Sequence, residues 1–573
     1  MASATRRNAG AKNVLNLRVA HPALWSLGTP NLYTLRTTLL LDGKKIDGSD
    51  TRMGIRSLEF TPDRGFALNG VNMKVKGVCL HHDAGVLGAV VPRQVWERRL
   101  KNLKGIGVNA IRMSHNPQAP VIYELCDSLG LMVMDEASDE WEFPKRKWLQ
   151  GWNVGEPGFD GTYDFFEEWI DRDVTDMVRR DRNHPSVILW SIGNEVDYPN
   201  DPYSHPILDG AEISQPMYGG YKPDAPDARR IGKIAKRLAA CVRAVDDSRP
   251  VTGALAGVVM SNETEYPDAV DVVGYNYTED RYDIDHATYP DRVIYGSENR
   301  SDYRAWRDVA DRDFIFGQFI WTGADYLGES GRWPSRGLYT GLLDFGSFTK
   351  PRGHFRASLW CDEPVAYIGT YPKPRPPHNW LSIDAPDIWN YSDGDTIRVV
   401  CYTNAPKARL LLNGKEIGAV KPYDIETGII HWDVPYAPGR LTAEGLDDTG
   451  NVIADYSIDT SGRPYSLRAA ADVASIDADR PIAHVTVEVL DEEGRMVKLA
   501  DNNIRCFVKG PARLLGLENS DNSDMGDYRD ASQRAYHGRL LAYIESTGEP
   551  GEVTVTFKSP LLKDATVTFN DNK

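Results

Sequence analysis

This sequence has no surplus of positive charge. Its 573 residues carry 66 Lys and Arg against 82 Asp and Glu, a net charge of −16. Gripping phosphate backbones or anionic lipid requires a basic surface, so no nucleic-acid or membrane partner is expected. Nor does any apolar run reach the ~18 residues of a membrane span. The start, Met1-Ala-Ser-Ala-Thr-Arg-Arg, lacks the apolar core of a signal peptide. The sequence therefore reads as soluble, with cytoplasm and periplasm both open as compartments and a homo-oligomer allowed. Cysteine is sparse: six, at 79, 126, 241, 361, 401 and 506, with no C-x-x-C pair. That spacing suggests neither a zinc site nor a disulfide framework, and the six read as buried free thiols. Aromatic residues are plentiful, with 14 Trp and 27 Tyr. Their flat faces and polar edges suit sugar rings, and equally the cores of β-rich proteins.

A chain of this length exceeds one hydrophobic core, and its pattern changes twice. Residues 13–60 read as short strands, Val14–Val19, Leu32–Leu41 and Arg52–Phe60, with Asp42-Gly43 as a hairpin turn. From about residue 70, apolar runs alternate with helical segments. The strands are Met73–Leu80, Val108–Met113, Leu131–Asp135, Val187–Ile192, Val251–Leu255, Val270–Tyr275, Val293–Gly296 and Phe314–Trp321. Helices are expected over Pro92–Gly105, Pro120–Leu129, Tyr163–Arg182 and Ala228–Val245. Repeated β–α units imply parallel strands, and eight of them imply a (β/α)8 barrel. After about residue 363 the helices stop and turn-bounded short strands take over, as in Ig-like β-sandwiches. Linkers are expected at Tyr371–Pro377, with four prolines, and around Thr460–Pro464. The expected fold class is thus multidomain, a central (β/α)8 TIM barrel flanked by β-sandwich (Ig-like) domains. Its expected divisions are 1–62, the later part of an Ig-like sandwich; 63–362, the barrel; and 363–462 and 463–573, two sandwiches.

Catalytic groups of such barrels stand at the C-terminal ends of the strands. Here nearly every end is polar: His81-His82-Asp83, Arg112-Met-Ser-His115-Asn116, Asp135-Glu136, Asn194-Glu195, Tyr275-Asn276-Tyr277, Ser297-Glu298 and Trp321, with Asp325-Tyr326 following. The apolar run Val187-Ile-Leu-Trp-Ser-Ile-Gly-Asn-Glu195 has no alternation, so it is buried on both faces and ends in a carboxylate. Glu195 and Glu298, on the fourth and seventh strands, are expected to face each other across the mouth. Two facing carboxylates are what glycosidic bond cleavage requires, one protonated and one ionised. Asn194 could hold a sugar hydroxyl, Tyr277 and Arg112 could keep Glu298 ionised, and Trp321 could offer a platform for a sugar face. Arg112 could instead simply pair with Glu136, and Trp321 could be core. His81 and His82 could be metal ligands with Asp83, but neighbouring strand residues point apart. No metal site is assigned. His184 lies at the wrong end of its strand and reads as structural.

Four stretches carry a resemblance to glycoside hydrolase family 2, the family of β-galactosidases, β-glucuronidases and β-mannosidases. They are Arg182-Asn-His-Pro-Ser-Val-Ile-Leu-Trp-Ser-Ile-Gly-Asn-Glu195, Ile111-Arg-Met-Ser-His-Asn-Pro117, Val133-Met-Asp-Glu-Ala137 and Tyr295-Gly-Ser-Glu298. The resemblance implies a retaining enzyme with Glu195 as acid/base and Glu298 as nucleophile. It places His81, His115, Asn194, Tyr277 and Trp321 at sugar-contacting positions. It also implies that the family's N-terminal jelly-roll domain and the first strands of its Ig-like domain are missing here. The galactosidase magnesium pattern has Glu and His after Asp-Glu-Ala; here Glu140 matches the Glu and Glu142 stands where the His would be. No cofactor is expected, magnesium being the one candidate. The Asn-x-Lys triplet that binds a uronate carboxylate in β-glucuronidases is not found in 336–352, and Arg300 or Arg332 is the alternative for that task.

The expected function is a retaining exo-β-glycosidase, foremost a β-galactosidase, acting on terminal non-reducing sugars. The alternatives are a β-glucuronidase or other uronate-active relative and, from another class, a non-catalytic carbohydrate-binding protein on an inactive barrel. The presence of both carboxylates argues against the last.

Overall fold

The computed structural model describes residues 2–8, 10–145, 161–210, 213 and 219–572. Eight parallel strands close into one barrel in sequence order: β1 (Val75–Leu80), β2 (Ala110–Met113), β3 (Met132–Glu136), β4 (Val187–Asn194), β5 (Val251–Leu255), β6 (Val272–Asn276), β7 (Ile294–Asn299) and β8 (Ile315–Ile320). Each coincides with an expected strand to within a few residues. The main connecting helices are α1 (Arg93–Gly105), α2 (Pro120–Leu129), α3 (Phe166–Asp181), α4 (Arg229–Arg243), α5 (Tyr282–Thr288), α6 (Tyr303–Ala310) and α7 (Pro351–Trp360). Local chemistry sets their ends. Pro120 takes the first turn of α2, Gly130 closes that helix at φ 70°, and the Asp302 carboxylate caps the Ala305 amide of α6. Between β5 and β6 two single turns, Val258–Ser261 and Tyr266–Ala269, stand in place of a full helix.

The lumen is packed by Cys79, Met132, Met134, Ile188, Tyr295 and Phe319. Its lower end is sealed by Trp25, Phe66 and Leu68, the last two from a three-stranded antiparallel sheet over Leu58–Met73. The outward face of the strands packs on the helices in a larger apolar cluster that includes Val187, Trp190 and Ile192. All eight residues of β4 are buried, as its unbroken apolar run requires.

Before the barrel, Tyr33–Leu41 and Lys44–Met53 form an antiparallel hairpin. Its turn is Asp42-Gly43, with φ of 49° and 78°, the positive values that a two-residue hairpin loop needs. Two expectations fail in this region. Val14–Val19 is not a strand: no ladder among the described residues pairs with it, and Val14 is 79% exposed. A strand without a partner leaves its backbone groups to water and gains nothing from alternation. Arg52–Phe60 is two strand ends separated at 54–57, where Arg56 turns down to donate to the Val187 carbonyl at the foot of β4.

After the barrel come two β-sandwiches. The first sets the sheet Ala366–Pro372, Thr396–Thr403, Ile430–Pro435 against one built on Lys407–Leu412, Arg440–Leu446 and Val452–Asp459. The expected linker at Tyr371–Pro377 is therefore corrected. Tyr371 and Pro372 are the end of an edge strand, in register with Arg398 and Ile397, a position where proline's missing N–H costs no ladder bond. The last sandwich packs a four-stranded sheet over Ser466–Ser546 on a five-stranded one that ends at Asp571. It returns to the barrel mouth. The buried Glu518 carboxylate accepts from the Val86 amide, 3.0 Å, and pairs with Arg336. Gly85, at φ 53°, leaves the space: a Cβ there would lie 2.2 Å from the Glu518 carboxylate. Among the described residues no helix is long and apolar enough to cross a membrane.

Candidate active site

Glu195 follows the last residue of β4 at φ 47°, a left-handed conformation that ends the strand and turns the side chain over the mouth. The glycine before Asn194 has its own reason: a Cβ on Gly193 would lie 2.8 Å from the Trp141 indole nitrogen, which donates to the Ile192 carbonyl. Glu298 stands on β7, three strands from β4 around the ring rather than diametrically opposite. It is buried, 5% exposed. Tyr277, also at positive φ, 54°, donates its hydroxyl to Glu298 Oε1 at 2.7 Å, and Arg112 Nη1 donates to Oε2 at 2.9 Å.

Arg112 resolves the choice left by the sequence: it does both tasks. Fully buried on β2, it holds Glu136 through Nε and Nη2 at 2.8–3.1 Å, Glu298 and the Ser297 carbonyl through Nη1, and Asn194 Oδ1 through Nη2 at 2.7 Å. All five of its N–H groups are thus engaged. Asn276 bridges the other way, donating from Nδ2 to Asn194 Oδ1 and to Glu195 Oε1, each at 3.1 Å. The two carboxylates are therefore joined through one continuous polar network. Replacing Arg112 by Met should leave the buried Glu136 and Glu298 without their guanidinium, a loss of roughly 3–5 kcal/mol. The expected result is a clearly lower melting temperature for the barrel transition together with loss of activity; an unchanged melting curve would show that the network does not hold the barrel.

The electrostatics follow from burial and neighbours. Burial and the nearby charge of Glu195 push Glu298 up to about 7, against Arg112, His115 and Tyr277, which pull it down. Glu136, although buried, is held at about 2 by Arg112 and His115. His115 bonds Glu136 through Nδ1 at 2.6 Å, presents Nε2 to Glu298 at 3.8 Å, and lies parallel to Trp321 with ring centres 5.3 Å apart. His81 stacks on Tyr326 at 4.0 Å and meets Trp321 edge-on at 5.3 Å. Burial drives its pKa down to about 3, and its Nε2 is buried with no hydrogen-bond partner among the described residues. Trp321 is only half-buried, so part of its surface is open to the mouth.

All eight residues singled out in the sequence, His81, Arg112, His115, Asn194, Glu195, Tyr277, Glu298 and Trp321, thus lie at one end of the barrel in a single contact network. His82 turns away toward Trp96, and His184 bonds Asp127 far below, at 2.6 Å. Glu140 accepts from the Lys145 and Tyr163 amides while Glu142 binds Arg230 and Tyr203, so these two do not form a common donor set for magnesium. Among the described residues no group of three His, Cys, Asp or Glu side chains converges as a metal site. The sequence reading missed several members of the network. Glu136 and Asn276 were visible as strand ends. Asp139, which accepts from Asn194 at 2.9 Å and Lys145 at 3.0 Å, and Glu329, which accepts from Tyr326, sit in loops without any periodic signal.

Known proteins resemble this chain along nearly all of its length. Residues 61–282 match the domain described as "Glycosyl hydrolases family 2, TIM barrel domain", residues 2–56 match "Glycosyl hydrolases family 2", and residues 467–568 match "Glycoside hydrolase family 2 C-terminal domain 5". β-Galactosidase BoGH2A of Bacteroides ovatus is 33% identical over 97% of this chain and 68% of its own length. This chain belongs to glycoside hydrolase family 2. A crystal structure of a family 2 member from Bacteroides cellulosilyticus superposes with a TM-score of 0.84 at 32% identity, covering 97% of this chain and 70% of that one. A putative β-glucuronidase of Formosa agariphila is 28% identical over 100% of this chain, which spans 55% of that relative. The chain is thus a family 2 β-glycoside hydrolase acting on carbohydrate.

Proposed function

We propose that the chain is a retaining, exo-acting β-glycosidase for terminal non-reducing sugars, in first place a β-galactosidase. One observation carries this: Glu298 is gripped by a hydroxyl and a guanidinium while Glu195 faces the same mouth with one amide partner, Asn276. The donors on Glu298 favour its ionised, attacking form. Glu195 then gives its proton to the glycosidic oxygen as Glu298 attacks the anomeric carbon, and takes a proton from water when the glycosyl ester is hydrolysed. Tyr277 and Arg112 hold the attacking carboxylate in place. Trp321 lies under the sugar, and His81 Nε2, His115 and Asn194 bind its hydroxyls. No step needs a metal ion or cofactor.

The β-galactosidase relative from Bacteroides ovatus supports the sugar assignment. The β-glucuronidase alternative draws on relatives of that name; a uronate needs a free cation, and among the described residues Arg300 and Arg332, the candidates for that task, are both turned to solvent. The test is a panel of 4-nitrophenyl β-glycosides followed by proton NMR of the first product. The expected result is fastest release from the β-galactoside, with the β-anomer of the free sugar appearing first. An α-anomer as first product would exclude the double displacement.

A further inference from the structure

Beyond β8 the chain pairs Tyr326–Leu327 with Gly337–Leu338, and the loop between them stands at the rim of the mouth. Glu329 sits in that loop at φ 47°. Left-handed conformations in non-glycine residues concentrate at functional sites, and Glu195 and Tyr277 share this one. The Tyr326 hydroxyl donates to the Glu329 carboxylate, and the Tyr326 ring carries His81, whose Nε2 is buried and unpartnered. Glu329 is near enough to His115, Asp139 and Glu195 to feel their charges. Through the Tyr326 hydroxyl and the Tyr326–His81 stack it joins the side chains that line the pocket.

The loop is held from outside the barrel. Arg336, at its end, is buried between the Glu518 carboxylate and the Phe345 ring, 4.3 Å away. Asn522 accepts from the Gly337 amide at 2.9 Å and donates to Ser335 Oγ at 3.0 Å, and its carbonyl accepts from the Arg336 amide at 2.9 Å. The last sandwich thus fixes the stem on which Glu329 is presented.

The charge at the mouth has one dominant sign. Among the described residues, five carboxyl groups meet there, Glu136, Asp139, Glu298 and Glu329 besides the proton donor Glu195, against the side-chain cations Arg112 and Lys145. Arg112 has no N–H left, and Lys145 turns two of its three N–H groups to Asp139 and the Asn194 carbonyl. A carboxylate only accepts hydrogen bonds when ionised. Sugar hydroxyls supply donors, whereas a sugar carboxylate brings another charge of the same sign.

We propose that Glu329 is a specificity-determining residue of the sugar pocket: together with Asp139 it accepts hydroxyls of an uncharged sugar and turns away sugars that carry a carboxylate. The inference rests on the β-glycosidase reading above and narrows it to neutral glycosides.

Wild type, Glu329→Gln and Glu329→Asp are compared on the 4-nitrophenyl β-galactoside, β-glucoside and β-glucuronide, with melting curves to verify folding. Wild type should favour a neutral glycoside. Glu329→Gln should lower kcat/KM for that glycoside by about tenfold or more, mainly through KM, as expected when a hydroxyl loses a charged acceptor. Its activity on the glucuronide should hold or rise, so that the neutral-to-uronate ratio collapses. Glu329→Asp, which keeps the charge, should keep most of that ratio; a purely structural role would not separate the two variants. A ratio unchanged in Glu329→Gln overturns the proposal. A wild type that prefers the glucuronide overturns it as well, while leaving the glycosidase reading intact. A folded wild type inert on all three substrates removes the β-galactosidase reading on which the proposal rests.

Discussion

Glu298→Gln is expected to lower kcat on an aryl β-glycoside by about 10⁴-fold or more, with KM little changed. Gln keeps the length and planarity of Glu: its one amide oxygen can still accept from Arg112, and its NH2 can donate to the Tyr277 hydroxyl, which accepts as well as donates. What disappears is the negative charge that attacks the anomeric carbon, and no neighbour can replace it. Glu136 is locked by Arg112, His115 and the Ser191 hydroxyl, at 2.7 Å. Asp139 is tied to Asn194 and Lys145. Because the substitution also removes one of two repelling carboxylates, the fold should hold. The measurement is steady-state release of 4-nitrophenol beside a melting curve. A folded variant retaining more than about a hundredth of the wild-type rate would show that the attacking group lies elsewhere.

The sequence made the barrel and its two carboxylates legible because both leave a mark on residue order. A strand buried on two faces must be apolar throughout, so Val187–Ile192 and its seven counterparts stand out, and the polar residue that stops each run marks the mouth. Loop residues leave no such mark. Glu329 and Asp139 reach the pocket through backbone turns that no period encodes, and Lys145 becomes relevant only because it ties Asp139 to the Asn194 carbonyl. The failed strand Val14–Val19 shows the converse: its alternation fits a strand, but pairing is a property of the neighbour, and none among the described residues takes it up. At Tyr371–Pro377 composition misled, since prolines at a sheet edge look the same in sequence as prolines in a linker.

Glu195→Ala should separate the two carboxylates by role. A general acid matters in proportion to the basicity of the oxygen that departs. With a 2,4-dinitrophenyl β-glycoside, whose phenolate leaves unaided, formation of the glycosyl ester on Glu298 should stay near the wild-type rate. Breakdown of that ester needs Glu195 to activate water, so it should become slow, and a burst of phenolate equal to the enzyme present should precede a weak steady state. With an alkyl β-glycoside the first step itself should slow by about 10³–10⁴-fold. Azide, which attacks without a base, should restore turnover of the activated substrate and give a glycosyl azide of retained configuration. Glu298→Gln should show none of this dependence, since without the nucleophile no ester forms for any leaving group. The contrast follows from the geometry. Glu298 is held by Tyr277 and Arg112 for a fixed attack, while Glu195, bound through one amide of Asn276, is placed to pass a proton out to the departing group and back from water. Equal losses on activated and unactivated substrates, with no response to azide, would reverse or abolish that division of labour.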